Sequence, residues 1–315
     1  MAPVAKVRPF RFGISIWGAS TRKEWRQKAK RAEAAGFDTL LTADHLVGGM
    51  LSPLASLVAA AESTERLRIG TLVLNNDFRH PVVLAREAAT IDILTDGRLE
   101  LGLGAGHMKY EYDEAGISFE PPAVRVARMS EAAEIIRRLW DGEALNFAGD
   151  HYKVAGQRCF PVPLQKPLPL LIGGNGRRVL ATAAQWADIV SFTGFSQVEG
   201  ERNVNPTHFT LNGLETQVEW VRSAAANRFD QLELSILVQG VTITGDRRAA
   251  AQTVQPLLPT LSVDDLLTSP YGLIGTADEI ADQLRQQRDQ LGVSYITVFD
   301  KDFEAMAAII NLLKE

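Results

Sequence analysis

Three short stretches of this 315-residue chain hold residue types that can do chemistry. Asp44 and His45 stand side by side just after the apolar run Thr39-Leu40-Leu41-Thr42. An imidazole beside a carboxylate can hold one tautomer and move a proton near neutral pH. A second imidazole, His107, follows directly on Gly102-Leu103-Gly104-Ala105-Gly106. The third stretch, Gly173-Gly174-Asn175-Gly176-Arg177-Arg178, passes from an apolar segment into a helical pattern. Backbone N–H groups at a helix start lack intrahelical partners, and glycines leave them open to an anion such as phosphate. Two arginines in that first turn oppose the helix dipole, an oddity that an anionic ligand removes.

Each stretch also has a structural reading. Asp44 could cap the following segment with His45 merely packed, and the glycines could serve a tight turn. His80, directly before Pro81, does fit such a role, as a helix-entry residue. For the other positions, location decides. The elements that carry them alternate strand and helix about eight times. The strand candidates are Phe12–Ile16, Thr39–Thr42, Leu67–Leu74, Leu99–Leu103, Leu168–Ile172, Ile189–Phe192, Leu232–Gln239 and Tyr295–Phe299. Helical patterns at Trp25–Ala35, Val82–Leu94, Val124–Trp140, Arg178–Trp186 and Ala277–Leu291 separate most of them, with glycine stops at Gly36 and Gly292. Near-continuous apolar strands between helices belong to parallel sheets covered on the outside. The expected fold is therefore an α/β structure, a (β/α)8 TIM barrel, with Asp44, His45, His107 and the glycine turn at the C-terminal ends of its strands, where such barrels bind substrates.

The chain reads as a single domain over 1–315, with 193–231 and 242–276 as loop or insertion regions at the C-terminal face. The polar stretch Ser191–Phe209 is expected as a wall or lid of the mouth. Trp17, Phe78, Tyr110 and Tyr112 are expected to line a medium-sized, partly apolar ligand. A net charge of −5 gives no footprint for nucleic acid, and no apolar run matches a membrane span. The single cysteine, Cys159, excludes an internal disulfide and is expected as a reduced cytoplasmic thiol. No P-loop, HExxH or GxSxG is present, and no spacing calls for a metal.

Six ordered blocks carry a resemblance over nearly the whole chain. They are AEAAGFDTLLTADHL, LRIGTLVLNN, HPVVLAREAATIDILTDGRLELGLGAG, RMSEAAEIIRRLWDGEALNFAGDHY, PLLIGGNGRRVLATAAQWADIV and LIGTADEIADQLRQQRDQLGVSYITV. The sequence resembles the luciferase-like monooxygenase superfamily, and within it the branch of oxidoreductases dependent on coenzyme F420, a deazaflavin. That resemblance implies a barrel of the bacterial luciferase-like type, a homodimer, and a cofactor phosphate at Gly173–Arg178. It implies a cofactor ring facing Asp44, His45, Leu72, Val73, Asn75 and Gly106, with a non-prolyl cis bond at Leu72-Val73. The Ala-Asp-His triplet after the second strand is similar to the deazaflavin branch rather than to the FMN branch. Sugar-phosphate dehydrogenases of the deazaflavin branch carry a glutamate where this chain has His107, so glucose-6-phosphate is not the expected substrate. The reading is hydride transfer between F420 and a small organic molecule, with His45, His107 and Asp44 as the catalytic groups. The alternatives are an FMN-dependent monooxygenase served by a separate flavin reductase, and a carrier of flavin without chemistry.

Overall fold

The computed structural model describes residues 7–197 and 204–314; part of the expected polar wall, 198–203, lies outside the described residues. Eight strands form the centre: β1 Arg11–Ser15, β2 Thr39–Thr42, β3 Arg68–Thr71, β4 Leu99–Gly104, β5 Leu170–Gly173, β6 Ile189–Phe192, β7 Glu233–Leu237 and β8 Val293–Phe299. All pair in parallel, in the order β3-β2-β1-β8-β7-β6-β5-β4, and the pairs Ile69–Leu99 and Gly70–Glu100 close the ring. The expected barrel and each of its eight strands are present. β3 ends early, at Thr71, and a two-residue bridge, Leu74–Asn75, resumes the pairing against Leu103 and Gly104. The peptide bond between Leu72 and Val73 is cis, as the resemblance implied.

Eleven helices accompany the strands among the described residues, most of them covering the barrel, beginning with α1 Arg22–Ala34, α2 Pro53–Ala61 and α3 Pro81–Leu94. It continues with α4 Lys109–Ala115, α5 Pro122–Trp140, α6 Arg177–Trp186 and α7 Leu211–Ala225. The last four are α8 Arg247–Val254, α9 Val263–Thr268, α10 Ala277–Leu291 and α11 Phe303–Lys314. Local chemistry fixes the ends. His80 caps α3 by accepting the Val82 N–H at 3.3 Å ahead of Pro81. Thr276 and Glu279 form a capping box on α10, and Gly292 ends it with a left-handed φ of 80°. No described helix is long and apolar enough to cross a membrane.

One expectation needs correction. The region 193–231 is not loop throughout, because α7 fills Leu211–Ala225 as the regular crossover between β6 and β7. Leu211, Leu214, Val218 and Val221 are spaced as one helix face, but Gly213 in the first turn and the polar run before it hide the pattern. The region 242–276 is an insertion with two short helices. Its strand Gly240–Ile243 pairs with Gly272–Gly275 outside the barrel.

Side chains of alternate strand residues fill the barrel in layers. At the strand starts, Arg11 bridges Glu100 and Glu233 (2.6 Å to the latter), and Arg68 reaches the same Glu100 at 2.5 Å. The Glu100 carboxylate is 1% exposed and also accepts the Tyr295 hydroxyl at 3.3 Å, so every charge in this layer has a partner. Above it pack Leu41, Leu171, Ile189 and Tyr295. Higher still, the Val73 side chain stands in front of Gly102, Gly104 and Gly173 of β4 and β5. A Cβ on Gly104 would overlap Val73, and one on Gly102 would overlap the Thr71 carbonyl oxygen. Gly102→Ala should therefore lower the unfolding free energy by about 2 kcal/mol or more in denaturant titration. Gly176→Ala, with nothing within 4 Å of the new carbon, should cost less than about 1 kcal/mol.

Candidate active site at the barrel mouth

Past β2 the extended chain sends Asp44 and His45 to different sides. The Asp44 carboxylate is buried and receives both Arg79 Nη groups, with Nη2 at 3.3 Å from Oδ1, and the Asn75 N–H at 3.1 Å. Its partners are thus a cation and a backbone donor. It joins the end of β2 to the turn after β3 and makes no hydrogen bond to His45.

The carboxylate that meets His45 comes from α4. Glu111 Oε2 lies 3.1 Å from His45 Nδ1, with the glutamate side chain 2% exposed and the histidine 15% exposed. Glu111 Oε1 is buried without a hydrogen-bond partner. The His107 ring meets the His45 ring edge-on with centroids 5.3 Å apart. Trp17 approaches His45 at 6.4 Å and stands edge-on to Phe299 at 5.5 Å, so indole and phenyl surface flank the histidines. Burial first, then the neighbouring His45 and Arg125, push the His107 pKa down to about 4. His107 crowds its neighbours yet is itself exposed to solvent, which weakens this effect without reversing its sign.

α4 is anchored beneath the mouth by Tyr112, which is fully buried and donates to Asn75 Oδ1 at 2.9 Å. It also lies 3.0 Å from Asp77 Oδ2, and Arg128 pairs with the other Asp77 oxygen at 2.9 Å. Burial, with the Asp77 charge second, raises the Tyr112 pKa, so the phenol stays protonated. A Cβ on Gly106 would overlap the Tyr112 hydroxyl, and Arg125 donates to the carbonyls of Ala105 and Gly106. Asn75 and Gly106, expected against a ligand, thus have their side-chain space committed to this anchor. Tyr112 and Phe78, expected as ligand-lining aromatics, pack on each other at 5.4 Å, while Trp17 remains at the mouth.

At the end of β5 the glycine turn divides into two parts. Gly174 does not offer its N–H to an anion, because that group donates to Ser191 O at 3.1 Å, and its missing Cβ makes room for Val179. This corrects the expectation at that residue. Asn175 is held by Ser196 at 2.9 Å and by Gln217, which donates to both of its oxygens. Gly176 is the N-cap of α6, and no side chain caps the first turn. The N–H groups of the first turn therefore remain for a ligand, beside the exposed Arg177 and Arg178. Neither arginine has an ion-pair partner among the described residues.

Glu111, Arg79 and Arg125 escape a reading of the sequence. The run Lys-Tyr-Glu-Tyr-Asp-Glu holds three carboxylates, and nothing in it marks the first, Glu111, as the buried one. The depressed pKa of His107 has a measurable sign. The unfolded chain takes a proton there near the ordinary 6.5, whereas the folded form resists it to about 4, so this group costs stability progressively as pH falls through that window. In calorimetry, the melting temperature of His107→Gln minus that of the parent should rise as pH falls from about 7 to about 4.5. A flat difference would show that His107 is not held neutral.

Comparison with known proteins gives the family and the fold. The family model described as luciferase-like monooxygenase matches residues 8–262. An F420-dependent glucose-6-phosphate dehydrogenase of Intrasporangium calvum is 32% identical over 283 residues, covering 85% of this chain and 81% of the relative. The enzyme of the same description from Amycolatopsis mediterranei is 35% identical over 167 residues, 51% of this chain, and there the chain spans only 50% of the relative. Among solved structures, the F420-dependent tetrahydromethanopterin reductase of Methanopyrus kandleri superposes with a TM-score of 0.75 at 18% identity, covering 96% of this chain and 97% of the other. A long-chain alkane monooxygenase gives 0.74 at 15% identity, covering 98% and 91%, so the likeness at this distance is one of fold. With the closed barrel and the matched span of 8–262, this chain belongs to the luciferase-like monooxygenase family.

Proposed function

We propose that the protein is an F420-dependent oxidoreductase that moves a hydride between coenzyme F420 and a small organic substrate, with His45 handling the accompanying proton. The observation that carries this reading is the meeting of His45 with the buried Glu111 carboxylate at 3.1 Å, at the strand ends of a family barrel. A carrier without chemistry has no use for a paired imidazole there. The cofactor is supported by the relatives named for F420, at 32% identity over 85% of the chain in one case. It is supported also by fit: the uncapped first turn of α6 with Arg177 and Arg178 suits an anion, and Val73 forms an apolar floor over three glycines.

When bound, F420 supplies a carbon that accepts or returns a hydride together with its electron pair. The residues of the chain do the rest. Arg177, Arg178 and the free N–H groups of α6 would hold the phosphate, while Leu72 and Val73 would support the ring. His45 Nε2 takes the proton from the atom bonded to the reacting substrate carbon as that carbon loses hydride, and returns it in the reverse direction. Held neutral, His107 gives or accepts one hydrogen bond but cannot pair with a substrate phosphate as a cation. Trp17 and Phe299 offer ring surface to an organic substrate. A homodimer belongs to this proposal on the family resemblance alone, and a flavin reductase would be a partner only if FMN took the site.

Fluorescence titration with F420 and, separately, with FMN should show tighter binding of F420; the reverse order would turn the reading to an FMN-dependent monooxygenase. Gly176→Asp separates fold from ligand, because an aspartate suits an N-cap but opposes a phosphate. The melting temperature should hold or rise while the Kd for F420 increases about tenfold or more. Unchanged affinity would remove the phosphate from this turn. His45→Ala should lower kcat by about a hundredfold with the cofactor Kd changed by less than about threefold. A loss confined to cofactor affinity would make His45 a ring-binding residue.

A further inference from the structure

Glu111 is an anomaly of the fold as well as a neighbour of His45. A side chain 2% exposed carries two oxygens, of which Oε2 meets His45 Nδ1 and Oε1 has no hydrogen-bond partner among the described residues. No arginine or lysine pairs with it among the described residues, in contrast to Asp44 with Arg79, Asp77 with Arg128, and Glu100 with Arg11 and Arg68. A buried carboxylate with half its acceptor capacity unused destabilises the protein that holds it. Positions that break the local rules in this way are the ones a protein keeps for its function.

The geometry defines what the carboxylate does to the ring. An ionised carboxylate only accepts, so the atom facing Glu111 Oε2 must carry the hydrogen, and that atom is His45 Nδ1. In the neutral ring the proton is then on Nδ1, and Nε2, which has no partner among the described residues, is left with a lone pair. Among the described residues, no other group bonds Nδ1 and so selects that tautomer. His107 does not do so, because the two rings stand at right angles with centroids 5.3 Å apart and no hydrogen bond joins them.

We propose that Glu111 is a positioning residue that locks the His45 imidazole with its hydrogen on Nδ1, so that Nε2 is the atom that accepts the substrate's proton. The part of this that concerns turnover rests on the functional reading above; the part that concerns the tautomer does not. The proton moves from the substrate heteroatom to Nε2 as the hydride leaves the adjacent carbon for F420, so the substrate loses two electrons, F420 gains them, and Glu111 exchanges no proton at any point.

Two measurements on the full chain test it. The first is the ¹⁵N–¹H long-range correlation spectrum of the histidine rings without cofactor at about pH 8.5, where imidazoles are neutral. His45, assigned by its disappearance in His45→Gln, should show its hydrogen on Nδ1, and Glu111→Leu should move it to Nε2. A parent protein with the hydrogen on Nε2, or a ring indifferent to Glu111→Leu, overturns the proposal whatever the cofactor proves to be. The second compares kcat, KM for F420 and melting temperature in Glu111→Gln, which keeps the shape but not the charge. We expect kcat to fall at least about tenfold, KM to stay within about threefold and the melting temperature to hold or rise. Turnover within about twofold of the parent would refute the positioning role, and a fall in kcat accompanied by a fall of about 8 °C or more in melting temperature would make Glu111 a structural residue instead. If F420 supports no turnover in the parent while the tautomer result stands, the functional reading fails and the positioning of His45 survives.

Discussion

The packing of Val73 against Gly102, Gly104 and Gly173 is the constraint around which the upper half of the barrel is arranged. Two neighbouring strands give up their inward side chains at successive levels, and one valine from the turn after β3 occupies the volume. That substitution of one side chain for three allows the turn to cross over the end of the barrel instead of continuing beside it. The cis bond at Leu72-Val73 and the separate bridge at Leu74–Asn75 belong to the same crossing. Once the turn is placed there, Asn75 comes within reach of Asp44 through its N–H and of Tyr112 through its side chain. The ends of β2, β3 and β4 and the short helix α4 are thereby fixed to one another before any ligand arrives.

The barrel also separates its charges by level. Glu100, Arg11, Arg68 and Glu233 neutralise each other at the strand starts, where a layer of leucine, isoleucine and tyrosine seals them from the mouth. At the other end Asp44 and Asp77 are bound by arginines, and only Glu111 faces a histidine. In a medium of low dielectric, an unpaired charge acts over a longer distance than a paired one. Of the three carboxylates described at the mouth, Glu111 is the one that meets a histidine, and that histidine is His45.

The architecture was legible because barrel strands announce themselves twice, by apolar runs and by the helices between them. β2 and β6 have the bounds read from sequence, and the glycine after α10 is the left-handed stop it was taken to be. α7 is hidden by a glycine in its first turn, and the β4 glycines make room for Val73 and the Thr71 carbonyl. At the site, sequence adjacency misled. Asp44 and His45 are neighbours in the chain and strangers in space, whereas His45 and Glu111 are 66 positions apart and in contact. Which of several carboxylates on a short helix turns inward depends on the tertiary contacts of Tyr112, and no periodicity over seven residues can encode that.

α4 has a consequence for how such a protein can change its chemistry. Its seven residues hang between the end of β4 and the start of α5, contribute no strand to the barrel, and are secured chiefly by one tyrosine. The carboxylate that meets His45 is therefore carried on a cassette. Exchange of the residues around a retained Tyr112 would alter the acid–base character of the mouth while the glycine turn at the end of β5, and the layers beneath, kept their geometry. A lineage could in this way explore new substrates by editing one loop-borne helix, with the stability of the scaffold untouched.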